Sequence, residues 1–350
     1  MTRAQPRPGL RDIEPYESPQ LDVPTRLSTN ECPHPLPEGF RADLADAVRA
    51  LPLNRYPDAN ATRLREELAA YAQHPVEGTW VANGSNEVIH QLSIAYGGPG
   101  RRAVTFPPTY TLHQRLWTLA LGQVVSLRLD PPYVIVADDV TKAAEDSPEA
   151  VFVCSPNNPT GNAQPVERVE ELATTTQALV IVDEAYGEFG GKTAAGLIAE
   201  HHNVVVVRTF SKAFALAGAR IGYCLADPEV VQDLRRVRLP YHLSSLTQAA
   251  GIVALKHLSE ATAILDEVRG QRDRIFKELT AMPGIEAYPS DANFVLFRPS
   301  KPAAEVWEAL LDGGVLVRDL AHVVPRCLRV SAGTEQETGV FLEALREALA

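Results

Sequence analysis

The feature that most constrains the fold is a series of short apolar runs rich in β-branched residues, set apart by longer segments of mixed polarity. They are WVA (80–82), AVTF (103–106), VVSL (124–127), VFVC (151–154), LVIVD (179–183) and VVVVR (204–208). Hydrophobicity that is continuous rather than alternating predicts strands buried on both faces, as in a parallel or mixed sheet covered by helices. The segments between them, such as ATRLREELAAYA (61–72) and NEVIHQLSIAY (86–96), carry helical spacing. Strand and helix in alternation predict βαβ units and an α/β layer architecture.

After residue 226 the pattern changes. Asp227 followed by Pro228 reads as a helix cap with proline at the first helical position, and helical segments then run to about residue 281, where a long helix is expected to bridge two domains. Strand-like FVLF (294–297) and VLVR (315–318) follow, and a capping box from Thr334 to Glu337 precedes FLEALREAL. The expected division is a proline-punctuated arm (1–27), a large α/β domain with a mostly parallel sheet (28–250) and a smaller α+β domain (251–350).

Charge and cysteine content narrow the partners. With 44 acidic against 33 basic residues the net charge is −11, which repels phosphate backbones and anionic lipid surfaces, so neither nucleic acid nor membrane is expected. No run approaches the ~20 apolar residues that cross a bilayer. Cys32, Cys154, Cys224 and Cys327 are too scattered for paired metal ligands and too few for a disulfide framework, which favours a reduced, cytoplasmic setting. The nine histidines show no i, i+4 pair on one helix; they read as surface or core groups, and no metal site is expected.

Three polar clusters stand directly after predicted strands, where open α/β sheets bind ligands. They are SPNNPTG (155–161), DEAYGEF (183–189) and RTFSKAFALAGARIGY (208–223). Asn158, Asp183 and Lys212 are separated by 25 and 29 residues, each about the length of one ~30-residue βαβ unit, so an amide, a carboxylate and a lysine can converge on one crevice. Lys212 could be a solvated lysine or a phosphate binder, but the Gly-rich loop of a Walker motif is absent. It could instead form a Schiff base with an aldehyde cofactor, with Asp183 near the ring nitrogen of pyridoxal phosphate rather than a simple turn residue. Ser211, Thr209, Arg220 and the helix start at Gly84-Ser85-Asn86 could supply donors and charge to the cofactor's phosphate.

Taken in order, EPYESP (14–19), LSTNECPHPLP (27–37), RYPD (55–58), NGSNE (83–87), PPTY (107–110), the three clusters above, RLPYHLSSLTQAA (238–250), PSDANFVLF (289–297), LVRD and LRVSAGT make the chain resemble the fold-type-I pyridoxal-phosphate aminotransferases. Within them it is similar to the histidinol-phosphate aminotransferases. The resemblance implies that Lys212 carries the cofactor covalently, Asp183 pairs with the pyridine nitrogen, and Asn158 and Tyr186 bond its phenolic oxygen. It implies that Tyr110 stacks on the ring, that Gly84, Ser85, Asn86, Thr209, Ser211 and Arg220 hold the phosphate, and that Tyr56 reaches it from the partner subunit of a homodimer. Arg329, with Tyr16, Asn30, Asn158 and Arg318, would bind the anionic ends of glutamate, 2-oxoglutarate and histidinol phosphate. Aromatic amino-acid transamination, a threonine-phosphate decarboxylase and a non-catalytic binding protein are the other functions this scaffold leaves open. Taken alone, Arg318 and Arg329 could be surface ion-pair groups, and Tyr16 and Tyr56 could simply pack in their proline-rich loops.

Overall fold

The computed structural model describes residues 4–13, 15 and 21–350. Regular structure begins with a three-residue strand, β1 (Thr25–Leu27). The first large unit then contributes β2 (Thr79–Asn83), β3 (Arg102–Thr105), β4 (Gln123–Ser126), β5 (Ala150–Cys154), β6 (Leu179–Asp183), β7 (Val204–Thr209) and β8 (Ile221–Leu225). The carboxy-terminal part adds β9 (Ile285–Ala287), β10 (Phe294–Pro299), β11 (Val315–Asp319) and β12 (Leu328–Ser331).

Strands β2 to β8 form one sheet in the order β2-β8-β7-β6-β5-β3-β4. All its pairings are parallel except those of β8, which runs against both neighbours. The six apolar runs of the sequence are six of these strands. Their alternate residues pack into two apolar cores, one on each face: Trp80, Phe152, Ile181 and Val207 in one, Val81, Val153, Val182 and Val206 in the other. Double-sided burial is therefore what the unbroken hydrophobic runs encode. VVSL is the exception, because β4 is an edge strand and its residues are only partly buried or exposed.

β8 has no counterpart among the expected strands, and it decides where the site lies. Because β8 returns antiparallel, its first residues sit beside the carboxyl end of β7, with Thr209 opposite Gly222. β2 then pairs antiparallel with β8, so Asn83 at the carboxyl end of β2 lies opposite Ile221. The carboxyl ends of β2, β7, β6, β5 and β3 thus share one edge of the sheet.

The second sheet has the order β1-β11-β12-β10-β9. Residues 25–27, read from the sequence as the end of the arm, pair in parallel with Val315–Val317 of β11. The arm is thereby tied to the carboxy-terminal sheet and delivers Ser28 to Glu31 to the edge of the large one. The helix Leu258–Ala281 joins the two parts: Arg269 donates to the carbonyls of Glu188 and Phe189 beyond β6, while the same helix packs on β9 and β10. Both cap signals hold, with Asp227 accepting from the Glu229 amide at 2.8 Å and Thr334 exchanging bonds with Glu337.

Candidate active site

A cavity of about 420 Å³ opens where the shared strand edge meets the second sheet. One wall is the loop from β7 to β8. Phe210, Ala213, Phe214 and Leu216 bury themselves in the core, and Phe210 stacks on Phe214 with ring centroids 4.2 Å apart. This anchoring turns Ser211 and Lys212 to the cavity side. Lys212 Nζ donates to the carbonyl of Thr29 at 2.9 Å and lies 5.9 Å from the centre of the Tyr186 ring. Desolvation, reinforced by the positive charges of Arg329 and Arg220 and opposed by Glu31, pulls the lysine down to about 8. Its amine is therefore available as a nucleophile far nearer neutrality than a surface lysine's.

Asp183 ends β6 and is 2% exposed. Its Oδ1 accepts from the amide of Ala185 at 3.1 Å, and its Oδ2 lies 2.9 Å from Nε2 of His113, which is fully buried. For a carboxylate to be the acceptor, Nε2 must carry the hydrogen. His113 stacks on Phe152 (centroids 5.1 Å apart) and meets the edge of Tyr110, so its ring cannot turn away. The sequence reading placed His113 among surface or core histidines. It is a core residue, but one whose polar edge is committed to the site, and its position on the helix after PPTY was the signal that could have found it.

The neighbouring strand end supplies Asn158. Asn157 is buried and anchors that loop to Pro108, Thr109 and Thr160, leaving Asn158 to accept from Arg329 Nη1 at 2.5 Å. Tyr186 accepts from Asn30 Nδ2 at 2.9 Å, so its own hydroxyl hydrogen remains for an acceptor in the cavity. Burial pushes this phenol up to about 12 and keeps it protonated. Asn30 is itself fixed through Ser331 and Asn293.

A separate corner gathers donors that could hold a compact anion. Ser85 and Asn86 open the helix Ser85–Tyr96 with no side chain capping its first turn, so its amides face outward. Arg220 Nη1 donates to Ser211 Oγ at 3.3 Å, and Thr209 Oγ1 lies 3.0 Å from the same oxygen. The corner has no spare room. A Cβ on Gly84 would come within 2.5 Å of Arg220 Nη2, and one on Gly222 within 2.1 Å of the Ser85 amide nitrogen. The other end is also cationic: Arg318 and Arg329 are direct partners across β11 and β12, and Arg329, 6% exposed, donates Nη2 to the carbonyl of Ser28 at 2.8 Å.

The cavity thus brings together Asn30, Ser85, Asn86, Tyr110, Asn158, Asp183, Tyr186, Thr209, Ser211, Lys212, Arg220, Arg318 and Arg329. Gly84 lies against Arg220 at its margin. Tyr56 does not line it: this side chain is 80% exposed and stacks on Tyr241 at 4.4 Å. Tyr16 falls outside the described residues. Thr29, Glu31 and His322 line the cavity without having been singled out in the sequence.

These donor sets fit pyridoxal phosphate: a poised amine, a buried carboxylate for the ring nitrogen, a phenol and an amide for the phenolic oxygen, and a glycine-walled corner for the phosphate. The family described as aminotransferase class I and II matches residues 23–345. A histidinol-phosphate aminotransferase of Paenarthrobacter aurescens is 46% identical over 98% of this chain and 94% of the relative. One of Streptomyces avermitilis is 47% identical over 97% and 95%. Among solved structures, the Sinorhizobium meliloti histidinol-phosphate aminotransferase in complex with pyridoxal-5'-phosphate superposes with a TM-score of 0.89 at 24% identity, covering 98% and 97% of the two chains. At that identity the likeness is one of fold.

Proposed function

The chain belongs to the class I and II aminotransferases, and from that premise we propose that it binds pyridoxal phosphate and moves the amino group of L-histidinol phosphate to 2-oxoglutarate, in histidine biosynthesis. The observation that carries the reading is one cavity with a lysine and a buried carboxylate at its centre and cationic groups at both ends. Pyridoxal phosphate, when bound, supplies an aldehyde for amines and a ring that accepts the electron pair left by a departing proton. Lys212 would hold that aldehyde and, once displaced by a substrate amine, shuttle the proton at the substrate carbon. Asp183, held by His113, would keep the ring nitrogen protonated. Asn158 and Tyr186 would bond the phenolic oxygen, with Tyr110 against the ring. Ser85, Asn86, Thr209, Ser211 and Arg220 would hold the phosphate.

The arginine end has to serve two substrates in turn. Guanidinium matches both carboxylate and phosphate through paired N–H groups, so Arg329 and Arg318 can receive glutamate in one half-reaction and histidinol phosphate in the other. Asn30, bonded to Ser331 on the same strand as Arg329, would steady this end.

A homodimer is part of the reading. Leu53, Tyr56, Leu239, Tyr241 and Leu246 are all exposed, and Arg238 and Gln248 bond the backbone at Ala59 and Asp58, laying the two segments together. An apolar surface of this kind is a contact surface, and a second copy would carry Tyr56 towards its partner's cavity. Among the described residues no helix is long and apolar enough to cross a membrane. All four cysteines are free thiols, which supports a reducing, cytoplasmic location.

The test is turnover by the purified holoenzyme. Glutamate formation from L-histidinol phosphate and 2-oxoglutarate should exceed that from phenylalanine. Faster use of phenylalanine would make it an aromatic aminotransferase, carbon dioxide released from threonine phosphate would make it a lyase, and a colourless protein that ignores the cofactor would make it a binding protein.

A further inference from the structure

We propose that His322 is a specificity-determining residue that supplies an additional donor to the phosphate of the phosphorylated substrate and contributes little to the carboxylate of glutamate. The inference rests on the substrate pair proposed above and concerns a side chain outside the residues assigned so far.

Arg318 and Arg329 face each other across β11 and β12, and the segment 320–327 joins those strands. That segment is a folded turn. Asp319 Oδ1 accepts from the Ala321 amide at 2.9 Å, the amides of Val323 and Val324 both donate to the Leu320 carbonyl at 2.8 Å, and Val324 and Cys327 are buried beneath it. The turn sets His322 on the cavity wall beside Arg318. The same two residues also line a second cavity of about 200 Å³, next to Trp307 and Asp319, so together they form the partition between the two spaces. His322 is exposed and makes no hydrogen bond or ion pair among the described residues. Among the described residues nothing claims its ring N–H.

Substrate chemistry gives that N–H a use. A carboxylate carries one charge on two oxygens, which paired guanidinium groups satisfy; a phosphate monoester carries close to two charges on three terminal oxygens. Arg329 spends one N–H of Nη1 on Asn158 and one of Nη2 on Ser28, which leaves it fewer donors for the three oxygens of a phosphate. A further donor on the same wall has a use there, and His322 stands on it. Glutamate makes no such demand.

The experiment compares the holoenzyme with His322→Phe, which keeps a ring and loses the donor, and His322→Gln, which restores an N–H at similar reach. In His322→Phe the KM for L-histidinol phosphate should rise about tenfold, the loss expected for one hydrogen bond to a charged group. kcat and the KM for glutamate should stay within about twofold, and inhibition by inorganic phosphate should weaken while inhibition by glutarate does not. His322→Gln should recover most of the affinity. An unchanged KM for histidinol phosphate in His322→Phe, or an equal rise for both substrates, overturns the proposal while leaving the function intact. Wild-type protein inert towards histidinol phosphate would instead overturn the function itself, and the role of His322 with it.

Discussion

Nε2 of His113 stands 2.9 Å from Oδ2 of Asp183, with both side chains closed off from solvent at the end of β6. A buried carboxylate without a partner is costly, and a hydrogen bond to a charged group contributes roughly 1.5–3 kcal/mol. His113 therefore acts as a positioning residue for the carboxylate. His113→Phe should lower kcat about 10- to 100-fold and weaken cofactor retention, with a smaller effect on the KM of either substrate. His113→Gln, which can still reach Asp183 with an N–H, should recover part of the loss. Wild-type kcat and cofactor affinity in His113→Phe would rule the role out.

Lys212 is held down to about 8 by desolvation and then by Arg329. Only the unprotonated amine attacks an aldehyde. The rate at which cofactor-free protein takes up pyridoxal phosphate should therefore climb as pH rises through about 8 and flatten above it. Arg329→Gln removes a positive charge that drives the proton off, so its profile should move to higher pH. Borohydride reduction of the loaded protein, followed by peptide mapping, should place the label on Lys212. A rate independent of pH, or a label on another lysine, would contradict this.

Gly222 has no room for a side chain. A Cβ there would meet the Gly84 carbonyl carbon and the Ser85 amide nitrogen at 2.1 Å, and both are backbone atoms that cannot swing aside. Gly222→Ala should push the start of the helix Ser85–Tyr96 off β8. The expected cost is ~1–3 kcal/mol of stability, with faster loss of pyridoxal phosphate on dialysis. Gly270→Ala, where a Cβ meets nothing within 4 Å, is the control and should keep the cofactor. Equal retention by both variants would dismiss the phosphate corner.

On the far side of Asp183 lies a second buried charge cluster. Arg208 donates to Glu184 Oε2 at 2.9 Å, and both carboxylate oxygens of Glu188 are buried without a hydrogen-bond partner among the described residues. Burial pushes Glu188 from its ordinary 4.5 up to about 7, against the pull of Arg208. With the folded value raised, the folded state holds the extra proton between those limits. Stability from this group is complete below about 4.5 and lost as pH rises through about 7. Glu188→Gln cannot ionise, so urea unfolding should show it gaining on the wild type across that interval and running parallel above it. A constant difference at every pH would refute the assignment.

Much of the molecule was legible in the chain itself. The unbroken Val- and Ile-rich runs read as doubly buried strands, which all but the edge strand β4 are, and Asn158, Asp183 and Lys212 could be placed near strand ends because their clusters directly follow such runs. Other features were hidden because they depend on contacts between residues far apart in sequence. β8 carries no period of its own, yet its antiparallel return sets Arg220 beside the helix start at Ser85. β1 is three residues long and exists through pairing with β11, which brings Thr29 to Lys212. His113 lies 70 residues before Asp183, and its role arises when the helix Thr111–Leu119 packs against β3 and β4 and brings the ring to the end of β6. Hydrophobic period is a local property, so sequence alone determined the layers and the strand ends that line the cavity. Register and strand order are set by pairing and close packing, and only the tertiary structure decided which groups face one another across the cavity.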